Sequence, residues 1–262
     1  MRFPDLDDPL SELIRVTGAM SDPAPTSAPE MGHTRPDFDR QHRKGVPEVI
    51  LAGSKTTEQV LEIAQAFLDR TGRAIVSRVD SHLLERLRHH FADATVETAQ
   101  HGQTVVVRRP GQQPPRSGGK VGVITAGTSD LAVAEQAALV AREMGCEVTL
   151  VSDVGVAGIH RLVQPLRNLL DSRIDVIIVA AGMDGALPSV VSGLVDVPVI
   201  GLPVSTGYGL GGNGTAALLS MLQTCSPGLA VVNIDNGVGA GAMAGLIANR
   251  VARARQATEA AG

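Results

Sequence analysis

The chain has 262 residues, a formal net charge of −4, 29 glycines, no tryptophan and only five aromatic residues: Phe3, Phe38, Phe67, Phe91 and Tyr208. So few rings exclude a protein that stacks single-stranded nucleic acid on aromatic platforms, and the acidic balance argues against any general nucleic-acid partner. Two cysteines cannot make a disulfide framework, and no run of about 18 apolar residues could span a membrane. With an acidic start that lacks an apolar leader, the expectation is a reduced, cytoplasmic protein.

Residues 1–36 are rich in Pro, Ser, Thr, Asp and Gly and read as a mobile N-terminal arm, with a short helix over Asp8 to Val16. Residues 37–108 read as a small α/β domain. Its elements are a strand from Glu48 to Ala52, a helix from Thr57 to Arg70, and a strand from Ala74 to Val79. A helix from Ser81 to Phe91 and a strand from Thr104 to Arg108 follow, the latter after a turn at His101-Gly102. Thr56 or Thr57 caps the first helix and Gly72 ends it. Residues 109–119, RPGQQPPRSGG, read as an interdomain linker.

Residues 120–262 alternate strand and helix with more regularity. Strands are expected at Lys120 to Thr125, Glu147 to Ser152, Ile174 to Ala180, Val197 to Pro203 and Leu229 to Ile234. Helices are expected at Ser129 to Met144, around Gly158 to Leu170, after Pro188, at Gly214 to Cys225 and from about Gly239 to Arg255. The near-continuous apolar run of the third strand suits one buried on both faces. The pattern predicts a three-layer α/β/α domain on a parallel sheet, preceded by the small α/β domain. Ligands on such sheets bind at the carboxyl ends of the strands. The glycine-rich turns ITAGTSD, DVGVAGIHR, AAGMDGALP, LPVSTGYGLGGNG and NIDNGVGAG all fall there.

On local chemistry, Gly127, Thr128 and Ser129 lead into a helix with backbone N–H groups and hydroxyls that suit a phosphate or carboxylate, or simply cap the helix. The turn is neither a Walker A loop nor a dinucleotide fingerprint. Gly182 and Gly185 let the backbone approach a ligand, and Asp184 either orients that ligand or caps the next helix.

The runs VGVITAGTSD (121–130), AGIHR (157–161) and AAGMDGALPSVVSGLVDVPVIGLP (180–203) resemble the aminoimidazole ribonucleotide carboxylase, or PurE, class. The finer pattern is similar to one branch, the LarB family of nickel-pincer cofactor biosynthesis proteins. It rests on AGMDGALPSVVSGLVDVPVIGLPVSTGYG, on CSPGLAVVNIDNGVGAG (225–241), on RQHRKGVPEVI (40–50) and on Ser54-Lys55-Thr56. The likeness covers roughly residues 37–256.

The resemblance implies a reaction. Such proteins carboxylate the pyridinium ring of nicotinic acid adenine dinucleotide at C5 and cleave its phosphoanhydride. The products are pyridinium-3,5-biscarboxylic acid mononucleotide and AMP, on the way to the nickel-pincer nucleotide. CO2 or bicarbonate is the co-substrate, no cofactor is expected to be tightly bound, and a homo-octamer is expected. Magnesium on the pyrophosphate is chemically reasonable, although the sequence names no metal ligands.

The resemblance also implies roles. Cys225 matches the family's catalytic cysteine, whereas Cys146 matches no such motif and reads as a small buried hydrophobe. His160 aligns with a proton-transferring histidine, and a local hydrogen bond at a helix start is the alternative. Asp130 is placed with the catalytic set. Gly127, Thr128, Ser129, Asp153, Gly182, Met183, Asp184, Gly185, Ser205, Asp235 and Asn236 are placed around the substrate. Arg40, Arg43 and Lys55 are candidates for its phosphates or carboxylate, or else a solvated basic surface. Tyr208, the only aromatic beyond the linker, is the one ring of that domain on which a base could stack. Two readings compete: a purine-pathway carboxymutase on an aminoimidazole ribonucleotide, and a non-catalytic nucleotide-binding module on the same fold.

Overall fold

The computed structural model describes residues 34–114 and 116–261. The arm and the helix expected over residues 8–16 therefore lie outside the described residues, apart from 34–36.

The small domain begins with α1 (Arg40–Lys44) and β1 (Ile50–Leu51), then a 3-10 turn over Ala52–Ser54. There follow α2 (Thr57–Thr71), β2 (Arg73–Ser77), α3 (Ser81–His90), β3 (Thr95–Thr98) and β4 (Thr104–Arg108). Its sheet has the order β1-β2-β4-β3, with β1 parallel to β2 and the other pairs antiparallel. Helix α2 starts where expected, because Thr56 and Gln59 form a reciprocal capping box, and it stops at Gly72 in a left-handed conformation (φ 78°). Strand β3 was not foreseen. Its residues alternate between exposed and half-buried at the sheet edge, so no apolar run announces it.

The carboxyl-terminal domain runs β5 (Lys120–Thr125), a 3-10 turn over Thr128–Asp130, α4 (Leu131–Glu143) and β6 (Glu147–Val151). It continues with α5 (His160–Asp171), β7 (Val176–Ala181), α6 (Leu187–Ser192) and β8 (Val199–Pro203). It ends with α7 (Thr215–Leu222), β9 (Leu229–Val231) and α8 (Gly237–Ala261). All five strands are parallel, in the order β6-β5-β7-β8-β9. β7 is buried along its whole length, as its apolar run requires. Two expectations are corrected. The helix expected to reach Cys225 stops at Leu222, where the Gln223 N–H closes the last turn on the Leu219 carbonyl, and the chain then turns with Ser226 N on the Thr224 hydroxyl (3.1 Å). The last strand is three residues long rather than six.

Helices α4 and α8 cover one face of this sheet, and α5, α6 and α7 cover the other. α8 uses two small-residue stripes at four-residue spacing. Ala240, Ala244, Ala248 and Ala252 are buried against the sheet side. Gly237 and Gly241 lie so close to α4 that a Cβ would come within 2.5 and 2.4 Å of the Val133 and Ala137 carbonyl oxygens.

The two domains share an interface built on period two in β2 and β4 and on helical period in α4. Ala74 and Val76 of β2, with Val105 and Val107 of β4, face α2 and α3. Ile75 and Val106 face the other way and pack on Leu139 of α4. On that same face Gln136 donates to the Thr104 hydroxyl (3.1 Å), and Glu143, fully buried, accepts from Arg73 (2.6 Å) and from Arg108. Residues 109–114 and 116–119 form no helix or strand. Gln112 donates to the Thr71 carbonyl, and Ser117 to that of Gly145, so this stretch is pinned to both domains. Among the described residues no helix is long and apolar enough to cross a membrane.

Candidate functional site

The strand order opens the site. β5 and β7 are neighbours, but the helices that follow them, α4 and α6, leave on opposite faces, so a crevice forms between the carboxyl ends of the two strands.

Asp130 closes the floor of that crevice. Its buried carboxylate accepts from Gly127 N (2.8 Å) through Oδ2, and from Gly182 N (3.1 Å) and the Thr206 hydroxyl (2.8 Å) through Oδ1. One side chain thus ties the loops after β5, β7 and β8 together, and the geometry makes it a positioning residue. Met183 N donates to the Thr206 carbonyl (2.9 Å), and the Asp235 carboxylate accepts from Ser205 N (2.9 Å), which joins the loop after β9 to the rest. Gly182 is obligatory here. A Cβ would lie 2.2 Å from both the carbonyl oxygen and the hydroxyl of Thr206.

Around this floor Thr128, Ser129, Met183, Asp184, Tyr208 and Asn236 are exposed, while Gly185 is buried against α7 in a left-handed conformation (φ 62°). Asp184 and Asn236 make local bonds, to Ala186 N and Gly239 N respectively. Three of the expected site residues that are not glycine adopt left-handed backbone: Asp153 (φ 59°), Met183 (φ 50°) and Asp235 (φ 55°). Such conformations are costly for side-chain-bearing residues and concentrate at functional sites. Beyond β5, Asp153 N donates to the Thr125 hydroxyl, and the Asp153 carboxylate accepts from Arg161 at 2.7 Å. His160 stands exposed beside Arg161 in the first turn of α5.

Other expected residues are not brought to this floor. Arg40 pairs with Glu48 (2.8 Å), and Arg43 forms a two-pronged contact with Asp37 (2.6 and 3.2 Å). The side-chain hydrogen bond to Asp37 raises the Arg43 pKa further. Lys55 Nζ donates to the Leu51 carbonyl. All three are engaged within the small domain. Cys225 is exposed, on the turn between α7 and β9, where Gly228 O accepts from Val199 N. That is the amino-terminal edge of the sheet, opposite the glycine-rich loops. Cys146, by contrast, is buried against Asn249 and Ser117, and burial pushes its thiol up to about 11.

Thr206 was overlooked in the sequence, although a hydroxyl in the STGYG turn was a visible signal. Arg78 was also overlooked. It follows β2 in a left-handed conformation (φ 58°), which no local motif announces. Among the described residues no group of three or more His, Cys, Asp or Glu side chains could hold a metal ion.

Comparisons agree with this architecture. Residues 120–261 match the AIR carboxylase family, and residues 28–109 match the LarB/PurE-like N-terminal domain. An uncharacterized protein of Methanocaldococcus jannaschii is 41% identical over 215 residues, covering 81% of this chain and 82% of that one. The N5-carboxyaminoimidazole ribonucleotide mutase of Thermotoga maritima is 37% identical over 133 residues, covering 49% of this chain and 74% of the mutase. The mutase of M. jannaschii is also 37% identical, over 125 residues, 47% of this chain and 74% of that protein.

Proposed function

The chain belongs to the AIR carboxylase family, as a LarB-type member with its own N-terminal domain and a carboxylase-type function, and from that premise we propose that it carboxylates nicotinic acid adenine dinucleotide at pyridinium C5 and cleaves its phosphoanhydride. The products are pyridinium-3,5-biscarboxylic acid mononucleotide and AMP, the opening of nickel-pincer nucleotide synthesis. The observation that carries this reading is the contrast between the two thiols. Cys146 is buried, hydrogen-bonded and held protonated, whereas Cys225 is open to a ligand.

A pyridinium ring is electrophilic and does not attack CO2. In this reading the Cys225 thiolate adds to C4, and the ring electrons move onto the nitrogen to give a dihydropyridine. Its C5 is now nucleophilic and forms a bond to CO2. Loss of the C5 proton and expulsion of the thiolate from C4 restore the aromatic ring and return the cysteine unchanged. His160 is the group assigned to take that proton. The loops held by Asp130 seat the ring, and water replaces AMP at phosphorus in the hydrolytic step.

This scheme requires a second copy. Cys225 and the loops lie at opposite edges of strands about five residues long, which at about 3.3 Å per residue separates them by roughly 16 Å. The thiol over one set of loops therefore comes from a neighbouring chain, in a homo-oligomer that the resemblance makes an octamer. Exposed apolar side chains support this. Leu194, Leu219 and Leu222 flank the Cys225 edge, and Met183, Tyr208 and Leu210 flank the loops.

The test is incubation with the dinucleotide and bicarbonate, followed by mass spectrometry. A ring-carboxylated mononucleotide with AMP is expected, and the absence of both overturns the proposal. The second reading, mutase chemistry on a carboxyaminoimidazole ribonucleotide, draws on the identity to the two mutases. The same assay with that ribonucleotide separates the two.

A further inference from the structure

A cavity of about 340 Å³ opens where the small domain meets the loop after β9. Leu51, Ser77 and Arg78 line it from one side, and Gln136, Asp235 and Asn236 from the other. Its size is at the low end of small-molecule sites, which run from about 300 to 1,000 Å³. Arg78 is the only basic side chain among its lining residues. The residue is exposed, its side chain runs along Gly53, and among the described residues its guanidinium has no hydrogen-bond or ion-pair partner. The other basic candidates of this domain are spent on Glu48, Asp37 and the Leu51 carbonyl.

The opposite wall is polar in a different way. Asp235 uses one oxygen on Ser205 N, and Asn236 uses its carbonyl on Gly239 N, so a carboxylate oxygen and an amide group remain for hydroxyl ligands. Val49, Ile234 and Val238 add apolar surface. A phosphate suits the free guanidinium, a ribose diol suits the carboxylate and amide, and a flat ring suits the aliphatic surface. Asp235 belongs to both places: it lines the cleft, and its carboxylate accepts from Ser205 N in the loop after β8.

We infer that this interdomain cleft seats the adenylate half of the dinucleotide, with Arg78 on its phosphate, while the pyridinium half lies over the loops held by Asp130. The inference rests on the reading under Proposed function. It gives the N-terminal domain a direct part in substrate binding.

Calorimetric titration with AMP, and separately with nicotinic acid mononucleotide, tests it on the full chain. Arg78→Gln and Arg78→Gly are compared with wild type. Glycine accepts the left-handed backbone without strain, so Arg78→Gly keeps the fold while removing the charge. Both variants are expected to weaken AMP binding at least about tenfold, as loss of a charge-assisted hydrogen bond does, with nicotinic acid mononucleotide affinity unchanged. In turnover, KM for the dinucleotide rises and kcat is held, and Arg78→Lys recovers part of the loss. If wild type turns over the dinucleotide but the variants keep its AMP affinity and KM, the cleft assignment is wrong and the reaction stands. If wild type neither turns over the dinucleotide nor binds AMP, the reaction fails and the cleft assignment falls with it.

Discussion

Cys225 and Asp130 stand at opposite edges of one parallel sheet, the thiol on the turn that enters β9 and the carboxylate beneath the loops that leave β5, β7 and β8. In the proposed reaction, which uses both, the thiol and the loops of one site come from two chains. Cys225→Ser and Asp130→Asn should each lower carboxylation by about a thousandfold or more when tested alone. After subunit exchange a mixture of the two should regain activity, because some sites then combine an intact thiol with intact loops. A mixture as inactive as its components, with exchange verified by mass, would place the whole site in a single chain.

The two thiols should differ in reactivity. At about pH 8 a disulfide reagent is expected to modify Cys225 alone in the native protein, and Cys146 only after denaturation. The Cys146 thiol is raised to about 11 by burial from an ordinary 9.0, so the folded state keeps a proton that the unfolded state gives up. Stability should therefore be intact below pH 9 and fall as the pH rises towards 11. Denaturant titrations should show that slope reduced in Cys146→Ala.

Replacing Asp130 by alanine removes the acceptor of three donors at once and leaves Gly127 N, Gly182 N and the Thr206 hydroxyl facing one another. Unfolding should require about 2–4 kcal/mol less, since each buried donor left unpaired costs about 1–3 kcal/mol and part is recovered by water. The loops should also become protease-sensitive. Thr206→Ala loses one bond only and should cost about 1 kcal/mol.

Glu143→Ala should be the most damaging change at the domain interface. It strands Arg73 and Arg108 without their shared buried carboxylate, and breaking such a buried pair costs about 3–5 kcal/mol. Arg108 retains the Glu97 carboxylate, whereas Arg73 keeps only the neutral Gln41 amide oxygen (2.6 Å), so Arg73 bears most of the loss. Thermal unfolding of the variant should show the small domain melting ahead of the rest.

Much of this fold was readable before the structure because its signals are local. Thr56, Gln59 and Gly72 mark the limits of α2 by hydrogen bonds within a few residues, and the run through Ile178 marks a strand buried on both faces. β3 escaped notice because an edge strand with one wet face needs no apolar run. The glycine-rich loops announced their gathering at the carboxyl edge of the sheet, but the ties between them did not show. Asp130 and Thr206 are 76 residues apart, and nothing local to either says that they meet. The partners of Arg40 and Arg43 were hidden for a related reason. A basic residue looks available in a sequence until its carboxylate partner, here Glu48 or Asp37, is placed beside it. Arg78 was silent because nothing in the residues beside it marks the left-handed backbone that it adopts.

Helix α4 has one end in each of these stories. Its first residue follows Asp130, which holds the glycine-rich loops, and its last is Glu143, which holds the small domain. Thirteen residues make a rod of about 20 Å. Both ties are therefore fixed to one rigid helix, so the small domain and the loop floor share a single rod as their common mount.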